Sequence, residues 1–579
     1  MVKKEAVLHL NTEDFIYPVA RNRLVIKIRT AKDDITECRV IHFYRTDPES
    51  RNHLRLEKKY TDELFDYYEG EIEFSKVARY HKYYFRLTDN DGTDWFYFVN
   101  GFSRHEPEDG FFEFLYTNPG DVISYPDWAK GAVYYQVFPE RFANGDIRND
   151  PPGTEAWGTL PTRENYMGGD IKGVRDKIPY LKELGIEVIY FNPIFMADFN
   201  HKYATTDYYR IDPIFGTNEE FGILMKELHK AGIRVILDGV FNHTGIHFKQ
   251  FEDVMEKGTD SEYYDWFLPC KSRYITVTHK DYECVGAYKF MPKLNSSNPK
   301  VRNFIIDVMD YWIREYGIDG WRLDVADEVD GSVWQEARTV LKERYPEIIL
   351  LGETWGFGGT LVTGKRLDSV MNYMFRDAVR DYFGLEVISA NEFNSRINRM
   401  LGLYKKDTLD VLYNLIDSHD TERFLFYCKE DTSKLKLASA FQMLFIGAPA
   451  IYYGDEVGLT GDNDPDCRRC MEWDESKQNR ELLLWYKKLI RLRKEHTAIR
   501  NGSFRTVSVN DQEDIISFDR ISEDETIRVI IRRSSSDKEV RIDFPVEGTD
   551  LITGRKVKCD PDGKIAINPC EVKAIKVIN

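Results

Sequence analysis

The middle of the chain alternates short apolar runs with segments of helical periodicity, and no other feature constrains the fold as strongly. The runs are apolar at successive positions, which is typical of strands buried on both faces of a parallel sheet. Eight of them lie between Gly131 and about residue 500, at residues 132–137, 188–192, 234–238, 320–324, 348–353, 369–373, 412–417 and 448–454. Eight strands that alternate with helices predict an α/β fold of the closed (β/α)8 type, a TIM barrel.

The connections between the predicted strands are of two kinds. Before the second strand, apolar residues at helical spacing predict one continuous helix over residues 174–184. The interval from Asp238 to Asp324, by contrast, is too long for a single helical crossover. We therefore expect an inserted subdomain at about residues 244–298.

Both ends of the chain have the sequence pattern of β structure. Apolar runs typical of strands occur at residues 24–29, 39–44, 83–87, 515–518, 527–531 and 540–544. Asn90-Asp-Gly92 has the composition of a hairpin turn. The predicted domains are an N-terminal β-sandwich at residues 1–122, the barrel with its insert at residues 123–500, and a C-terminal β-sandwich at residues 501–579.

Charge and apolar content exclude several classes of protein. The chain has 97 acidic and 80 basic residues, a formal net charge of −17, and no basic stripe that could neutralise phosphates, so we expect no nucleic-acid partner. Residues 437–454, the most apolar run, are interrupted by polar residues and predict a buried helix and strand instead of a membrane span. The N-terminus lacks the apolar stretch of a secretory signal, and eight cysteines are few for 579 residues. These features predict a cytoplasmic protein with no membrane partner.

Side chains capable of acid and base chemistry follow several of the predicted strands. Asp238 ends the third strand, Arg322 and Asp324 the fourth and Glu353 the fifth, and the pair His419-Asp420 follows the seventh. In a barrel the carboxyl ends of the strands meet at one face, where catalytic groups lie. For any one of these residues alone, a structural cap or ion pair is the favoured explanation, but their recurrence at strand ends predicts a shared functional site.

The spacing of these residues indicates distinct roles. Arg322 and Asp324 are two residues apart on a strand and face the same side, where the guanidinium is expected to lower the pKa of the carboxyl and keep it ionised, as a nucleophile requires. Glu353 ends an apolar strand, where burial is expected to raise its pKa and keep a proton available for a leaving group. Two carboxyls in such unlike surroundings are typical of glycoside cleavage.

Several segments, taken together and in order, resemble one enzyme family. Four of them look like the ordered signature segments of the α-amylase family of glycoside hydrolases: residues 238–243, 320–326, 352–355 and 417–420. Residues 131–139 and 447–454 are similar to the first and last barrel strands of that family. Residues 291–295, Met-Pro-Lys-Leu-Asn, resemble a segment typical of the branch that contains the cyclomaltodextrinases, neopullulanases and maltogenic amylases.

The resemblance implies a role for each matching residue. Asp324 would be the nucleophile, Glu353 the general acid/base and Asp420 a third carboxylate that grips sugar hydroxyls in the transition state. The substrate-binding residues that it implies are Tyr203, Asp238, His243, Arg322, Trp355, His419, Asp464 and Arg468. Of these, Tyr203 would stack beneath the sugar at the cleavage point, and Trp355 would lie on the acceptor side. For the last two of the set, a plain surface ion pair is the alternative interpretation.

A loop early in the barrel region has the composition of a calcium site. It offers amide, carboxylate and carbonyl oxygens, the ligands that Ca²⁺ prefers, and it resembles the N-terminal calcium loop of the same branch. The candidate ligands are Asn144, Asp146, Asn149, Asp150, Gly168 and Asp170. A turn rich in Asn and Asp that holds no ion is the alternative, because such turns favour the same residues.

By the same resemblance, the expected activity is retaining hydrolysis of α-1,4-glucosidic bonds, and of some α-1,6 bonds, in cyclomaltodextrins, maltooligosaccharides and pullulan, with some transfer to sugar acceptors. The N-terminal β-sandwich would resemble a starch-binding module, and the protein would form a homodimer. Residues 325–328 read Val-Ala-Asp-Glu where many members of the branch read Val-Ala-Asn-Glu, so the bond preference is open. Two alternatives are a noncatalytic glycan-binding protein on a barrel scaffold and a predominantly transglycosylating enzyme.

Overall fold

The computed structural model describes residues 2–269, 281–536, 538–543 and 546–578. Within these residues one parallel sheet contains eight strands: β1 Tyr134–Val137, β2 Val188–Phe191, β3 Arg234–Gly239, β4 Gly320–Leu323, β5 Ile349–Gly352, β6 Ser369–Val370, β7 Tyr413–Leu415 and β8 Ala448–Tyr452. Their order in the sheet is β6-β5-β4-β3-β2-β1-β8-β7. A parallel bridge between Met371 and Tyr413 joins the segments at its two ends. The predicted (β/α)8 barrel is confirmed.

Helices cover the outside of the barrel, so its strands are buried on both faces. Apart from Arg234, every residue of the eight strands is buried. The α-helices in this part of the chain are Pro139–Phe142, Ile171–Asp176, Ile178–Leu184, Asn218–Ala231, Lys249–Lys257, Pro299–Tyr316, Gly331–Arg344, Tyr373–Val379, Phe424–Tyr427, Thr432–Leu444, Arg480–Glu495 and Thr497–Asn501. The most apolar run, residues 437–454, forms part of a helix followed by β8, as predicted.

The helix Asn218–Ala231 shows how local sequence sets such boundaries. It begins at a capping box, in which the Thr217 side chain accepts from the backbone of Glu220 and the Glu220 side chain accepts from the backbone of Thr217. It ends at Gly232, whose φ of +82° is the left-handed conformation that favours glycine. Gly232 therefore ends the helix two residues before β3 begins at Arg234.

The single helix predicted over residues 174–184 is wrong. The structure has two helices, Ile171–Asp176 and Ile178–Leu184, which are separated at Lys177. Pro179 lies in the first turn of the second helix, where its missing N–H is tolerated, but inside a continuous helix its ring would clash with the preceding turn.

The segment between β3 and the helix before β4 is the long connection that the sequence predicted. It contains the helix Lys249–Lys257 and the 3₁₀ turns Gly258–Asp260 and Tyr264–Trp266, and residues 270–280 lie outside the described residues. Its last part returns to the barrel: Leu294 N donates to Asn242 O at 3.0 Å, and Thr244 N donates to Pro292 O at 3.1 Å. The Met-Pro-Lys-Leu-Asn segment thus lies beside the residues that follow β3.

The chain divides into two compact units. The smaller unit comprises Met1–Ser124, Ile388–Leu409 and Arg505–Asp519. Its antiparallel strands are Ile16–Ala20, Arg23–Ala31, Ile35–Tyr44, Asp47–Thr61, Phe65–Glu73, Arg79–Asp89, Asp94–Phe98, Gly101–Ser103 and Phe112–Tyr116. The predicted hairpin turn is present, with Gly92 at a φ of +74°. Helices Ala390–Leu403 and Lys406–Leu409 belong to the same unit. The buried Lys27 ammonium donates to Gly402 O and Tyr404 O and so satisfies carbonyls at the end of the first of these helices.

The larger unit comprises Tyr125–Val387, Asp410–Phe504 and Arg520–Asn579 and therefore holds the barrel and most of the C-terminal region. There, Thr526–Arg532 pairs with Val572–Val577, which pairs with Gly548–Asp550, and Val540–Asp543 pairs with Lys564–Ile567. Of the remaining C-terminal strands, Lys556–Val557 belongs to this unit, whereas Ser503–Asn510 and Ile515–Ile521 belong mostly to the smaller one. These antiparallel sheets confirm the predicted C-terminal β structure. Among the described residues, no helix is long and apolar enough to cross a membrane.

Candidate active site

One buried guanidinium gathers three carboxyls at the carboxyl ends of β3, β4 and β5. Nη1 of Arg322 lies 3.0 Å from Asp238 Oδ1 and 2.8 Å from Asp324 Oδ1, and Nη2 lies 2.8 Å from Glu353 Oε1. The arginine side chain is wholly buried, and each carboxyl side chain is at most 8% exposed. The strand-end residues that the sequence singled out therefore meet in one site.

The register of neighbouring strands produces this meeting. Asp238 on β3 is the direct partner of Arg322 on β4, and Arg322 is in turn the partner of Leu351 on β5. Asp324 and Glu353 come immediately after their strands, and Glu353 N donates to Leu323 O at 2.9 Å. Because parallel strands bring corresponding residues side by side, four side chains distant in the sequence converge at one edge of the sheet.

Burial dominates the electrostatics of the three carboxyls. It raises the pKa of Asp324 well above its ordinary value, while Arg322 opposes this effect. It also raises the pKa of Glu353, and it raises that of Asp238 to about 6. The prediction for Glu353 is confirmed, but the predicted lowering of the Asp324 pKa is wrong. The barrel removes the carboxyl from water, and one guanidinium is shared among three acids.

The guanidinium contacts Asp324 and Glu353 differently. Nη1 donates an aligned hydrogen bond to Asp324, whereas Nη2 approaches Glu353 without the geometry of one. Oε2 of Glu353 instead accepts from the backbone N–H of Val325 at 3.0 Å. Val325 itself has a φ of +44°, which is strained for a β-branched residue. A proton shared within the centre is therefore better held by Glu353, because Asp324 receives the stronger charge-assisted bond.

Tyr203 and His419 form the floor of the site. Their rings are stacked with 5.4 Å between centroids and 5° between planes, and the tyrosine hydroxyl lies 2.6 Å from His419 Nε2. The same hydroxyl donates to Asp238 Oδ2 at 2.9 Å, and the Tyr190 hydroxyl donates to the same oxygen at 2.6 Å. Burial lowers the pKa of His419 well below its ordinary value, so the imidazole is neutral.

Two amides complete this network, and sequence reasoning missed both. Gln136 on β1 lies 2.7 Å from His419 Nδ1 and donates to Asn192 at 3.0 Å. Asn192, directly after β2, donates to the Tyr203 hydroxyl at 3.0 Å. Both are polar residues at the ends of apolar strands, so the criterion that found Asp238 could have found them.

Asp420, Asp464 and Arg468 form one connected group. Arg468 lies 3.3 Å from Asp420 and 2.8 Å from Asp464, and its Nε donates to the backbone oxygen of His419 at 2.9 Å. Asp420 also lies 3.0 Å from His419 Nε2. Only 12% of the Arg468 side chain is exposed. Asp464 and Arg468 are therefore linked to the site and are not a plain surface ion pair.

His243 and Trp355 lie on different parts of the site. His243 is buried, its Nε2 lies 3.0 Å from the backbone oxygen of Tyr203, and burial lowers its pKa to about 4. In this structure it holds the backbone of Tyr203. Trp355 is 55% exposed and stacks on Tyr373 with 4.4 Å between centroids, so one indole face is open two residues after Glu353.

Comparison with known proteins places this geometry in a family. Residues 136–502 match the family model of the α-amylase catalytic domain, and residues 1–118 match that of the α-amylase N-terminal Ig-like domain. The chain belongs to the α-amylase family. It is a glycoside hydrolase, and the resemblance seen in its motifs is confirmed.

Other α-amylase family members match this chain along most of its length. It is 41% identical to neopullulanase 2 of Thermoactinomyces vulgaris over 96% of both chains. It is 40% identical to an intracellular maltogenic amylase of Bacillus subtilis over 86% of this chain and 85% of the relative. A solved cyclomaltodextrinase structure superposes with a TM-score of 0.94 at 38% identity and covers 99% of each chain.

In this chain, a row of aromatic rings leads from the floor of the active site to the protein surface. Tyr203 stacks near His201, and His201 stacks on Phe199 with 2° between planes. Phe199 contacts Phe290 at 4.5 Å between centroids, and Phe290 contacts Tyr288, which is 47% exposed. The sequence pattern gave no signal for Phe199 and Phe290, because their approach depends on the fold of the long connection after β3.

Three of the six candidate calcium ligands, Asn144, Asp150 and Gly168, come together, whereas Asn149 donates to Asp170 at 3.3 Å. Asn144 Nδ2 donates to Asp150 at 2.9 Å, and an added Cβ at Gly168 would lie 2.3 Å from atoms of both side chains. Among the described residues, the buried Oδ1 atoms of Asn144 and Asn149 accept no hydrogen bond. These amide and carboxylate oxygens around a glycine cradle fit a hard cation.

Asp146 and Asp170 have other partners. Asp170 accepts from the backbone of Gly145, Asp146 and Gly173 and caps the helix Ile171–Asp176. The Asp146 carboxylate pairs with Arg148, which lowers its pKa to about 2. Among the described residues, no three His, Cys, Asp or Glu side chains converge as a metal site, so a cation here would depend on amide and backbone oxygens.

Proposed function

We propose that this chain is a retaining α-glucan hydrolase that cleaves α-1,4-glucosidic bonds in cyclomaltodextrins, short maltooligosaccharides and pullulan. One observation carries the proposal: a single buried guanidinium holds Asp324 and Glu353 at the ends of adjacent strands, in unlike hydrogen-bonding surroundings. Glycoside cleavage with retention uses two such carboxyls, one as nucleophile and one as acid and then base.

In the proposed first step, an Asp324 oxygen attacks the anomeric carbon of the sugar. The bond to the leaving oxygen breaks as Glu353 transfers its proton to that oxygen, and a glycosyl ester forms on Asp324. Positive charge develops on the sugar ring, and this favours the ionised form of Asp324 although burial raises its pKa. In the second step Glu353 takes a proton from water, whose oxygen attacks the same carbon and releases Asp324.

The remaining residues of the site are proposed to bind the sugar at the cleavage point. The Tyr203 ring offers an apolar surface to a pyranose face, and the neutral His419 and the Asp420 carboxyl offer hydrogen-bonding atoms to hydroxyls. Arg468 fixes Asp420 through its 3.3 Å contact. Asp238, enclosed by Arg322 and two tyrosine hydroxyls, orients the guanidinium and the floor.

Two observations support the proposed preference for small and cyclic glucans. The relatives are named neopullulanase and cyclomaltodextrinase and match nearly the whole chain. The open face of Trp355 and the aromatic row from Tyr203 to Tyr288 offer stacking surfaces to further sugar units. An exposed aromatic beside the acid/base also suits a sugar acceptor, so transfer to sugars is the second candidate activity.

Three further properties are proposed and rest on the same relationship. The loop around Gly168 would bind a structural Ca²⁺ through Asn144, Asn149 and Asp150, which would fix the start of the barrel without taking part in the reaction. The protein would form a homodimer. It would work in the cytoplasm, as the name of the intracellular relative suggests; among the described residues, no disulfide joins two of the seven cysteines.

Glu353→Gln tests whether the chain is catalytic. This change keeps the size of the side chain and removes the proton donor, so we expect hydrolysis of maltotriose to fall about 10³-fold or more. Glu328→Gln, the same change at an exposed residue, is the control and is expected to retain activity. Equal rates for both variants would support a glycan-binding protein instead.

Initial rates on β-cyclodextrin and on soluble starch, at equal mass and with products resolved by size, test the substrate class. Faster opening of the ring, ending in maltose and glucose, is the expected result. Starch cut as fast or faster would exclude the preference for small substrates. Longer products that accumulate in the presence of added glucose would identify transfer as the main activity.

A further inference from the structure

Two more buried carboxyls lie close to the catalytic loop in the sequence and in the fold. Asp417 follows β7, two residues before His419, and Asp455 follows β8. Each is at most 2% exposed, and the consecutive residues Arg423 and Phe424 hold the two carboxyls close enough for Asp417 to raise the pKa of Asp455. Oδ1 of Asp417 and Oδ2 of Asp455 have no donor among the described residues. Ionised carboxylates only accept hydrogen bonds, so a bond between them requires a proton on one of the two.

The charges around the pair favour that proton. Arg423 Nη1 donates to Asp455 Oδ1 at 2.9 Å, and Phe424 N donates to Asp417 Oδ2 at 2.6 Å. One guanidinium thus faces two aspartates. The other titratable groups that face the pair are Arg376, Tyr413, Cys428, Glu456 and Tyr486.

Glu456 does not supply the missing donor. Its Oε1 accepts from Tyr135 at 2.8 Å and from Tyr180 at 2.6 Å, and its Oε2 accepts from Gly454 N at 2.9 Å. It also adds negative charge beside Asp455, which disfavours a second ionised aspartate there.

The pair is connected to the active site through buried contacts. Arg423 donates to the backbone oxygens of Tyr453 at 2.8 Å and Cys467 at 2.9 Å, so it joins the loop after β7 to the loop after β8. Arg468, which follows Cys467 in the chain, donates to the backbone oxygen of His419 and contacts Asp420. A displacement of Asp417 or Asp455 would therefore move the segment that carries His419 and Asp420.

We propose that Asp417 and Asp455 share one proton and act as a positioning pair for the loop that carries His419 and Asp420. This inference rests on the proposed function, because it takes Asp420 to be the third catalytic carboxylate. Loss of the shared proton leaves two carboxylates facing one guanidinium. Their repulsion separates the loops after β7 and β8 and withdraws Asp420 from the site.

The pair makes stability depend on pH in one direction. Burial raises the pKa of Asp455 well above its ordinary value and also raises that of Asp417. A carboxyl whose pKa is higher in the folded state contributes stability that is fully present below its unfolded pKa. This contribution is lost as the pH rises through the folded pKa. The protein should therefore lose stability and kcat together on the alkaline side.

Asp455→Asn is the decisive variant. Asparagine offers an N–H to Asp417 and a carbonyl oxygen to Arg423, and so it reproduces the protonated form without a titrating proton. We expect the Tm of this variant to fall less steeply with rising pH than that of the wild type, and the alkaline limb of kcat to move to higher pH. Asp455→Ala removes the carboxyl that pairs with Arg423 and lies beside Asp417, and we expect kcat to fall about tenfold or more with little change in KM.

Asp368→Asn is the matched control. Asp368 is equally buried but faces two cations, Arg338 and Lys342, and its pKa is lowered. This variant should lower Tm without reducing its alkaline dependence on pH. If Asp455→Asn fails to fold, Asp417→Asn provides the same comparison.

The proposal is overturned if Asp455→Asn keeps the wild-type slope of Tm against pH, or if it loses as much kcat as Asp455→Ala. The Tm measurement needs no substrate. Failure of the proposed activity, which Glu353→Gln detects, is therefore distinguishable from failure of the proton-sharing pair.

Discussion

The hydroxyl of Tyr203 lies 2.6 Å from Nε2 of His419 while the two rings remain stacked at 5.4 Å. One residue from the loop after β2 is thus tied to another from the loop after β7 by a ring contact and a polar contact at once. Asp238 and Asn192 complete the surroundings of this hydroxyl. The floor of the proposed sugar site is therefore assembled before a substrate arrives.

Tyr203→Phe separates the two contacts. The ring remains, but Asp238 loses a donor and Asn192 an acceptor, so we expect a loss of about 1–3 kcal/mol in the free energy of unfolding. Hydrolysis should fall about 10- to 100-fold in kcat/KM. Tyr208→Phe removes another buried hydroxyl, which donates to Val240 O and His243 O, and should cost similar stability with a smaller loss of activity. Equal activity losses would show that the Tyr203 hydroxyl has only a structural role.

Arg322→Lys tests the shared guanidinium. A lysine keeps the charge, but its compact ammonium lacks the two separate nitrogens with which the guanidinium contacts Asp324 and Glu353. With incompletely paired carboxyls in a buried site, we expect a loss of about 3–5 kcal/mol in stability and kcat lower by about 10³-fold or more. Thermal unfolding and kcat on maltotriose provide the measurements. Activity within tenfold of the wild type would show that the fork geometry is unimportant.

Asp327→Asn is expected to move the alkaline limb of kcat/KM to lower pH. The negative charge of Asp327 raises the pKa of Glu353. Asp327 Oδ2 accepts at 2.8 Å from the hydroxyl of Thr354, the residue that follows Glu353. Removing that charge lowers the pKa of the proton donor, so the donor loses its proton earlier as the pH rises. A pH–rate profile on maltotriose measures the limb. Glu328→Gln should leave the limb in place, and a shift of equal size there would point to a general surface effect.

Trp355→Ala is expected to raise the ratio of hydrolysis to transfer. The open indole face beside Glu353 offers an acceptor sugar a stacking surface, and its removal leaves water as the main acceptor. Product analysis with maltotriose and excess glucose gives the ratio. Trp355→Phe keeps an aromatic face and should retain most transfer; a ratio unaffected by either change would place the acceptor elsewhere.

Gly168→Ala tests the calcium loop. An added Cβ would lie 2.3 Å from Asn144 Nδ2 and from Asp150 Oδ1, so the cradle should open. We expect a lower Tm and no further change on adding EDTA, whereas EDTA should lower the Tm of the wild type. Gly153→Ala is the matched control, because Gly153 has a similar φ of +87° and no atom within 4 Å of the added Cβ. An EDTA response that persists in Gly168→Ala would locate the metal elsewhere.

Much of the site followed from short-range pattern. Arg322 and Asp324 face the same side because they are two residues apart on a strand. The carboxyl ends of the strands meet at one face because all eight barrel strands are parallel. The break at Lys177 could also have been predicted, since Pro179 is visible in the sequence. The direction of the Asp324 pKa could not, because it depends on how completely β3, β4 and β5 exclude water from three acids.

The sequence by itself determined the order of strands, the residues at their ends and the family, since periodicity and local motifs are properties of neighbouring residues. Only the tertiary structure decided which residues became partners. Gln136 reaches His419 across 283 positions, Phe199 contacts Phe290, and Asp417 lies beside Asp455. Closure of the barrel brings distant strand ends together and removes them from water. Distance and burial set the strength of every charge and hydrogen bond in this protein, and neither is a property of local sequence.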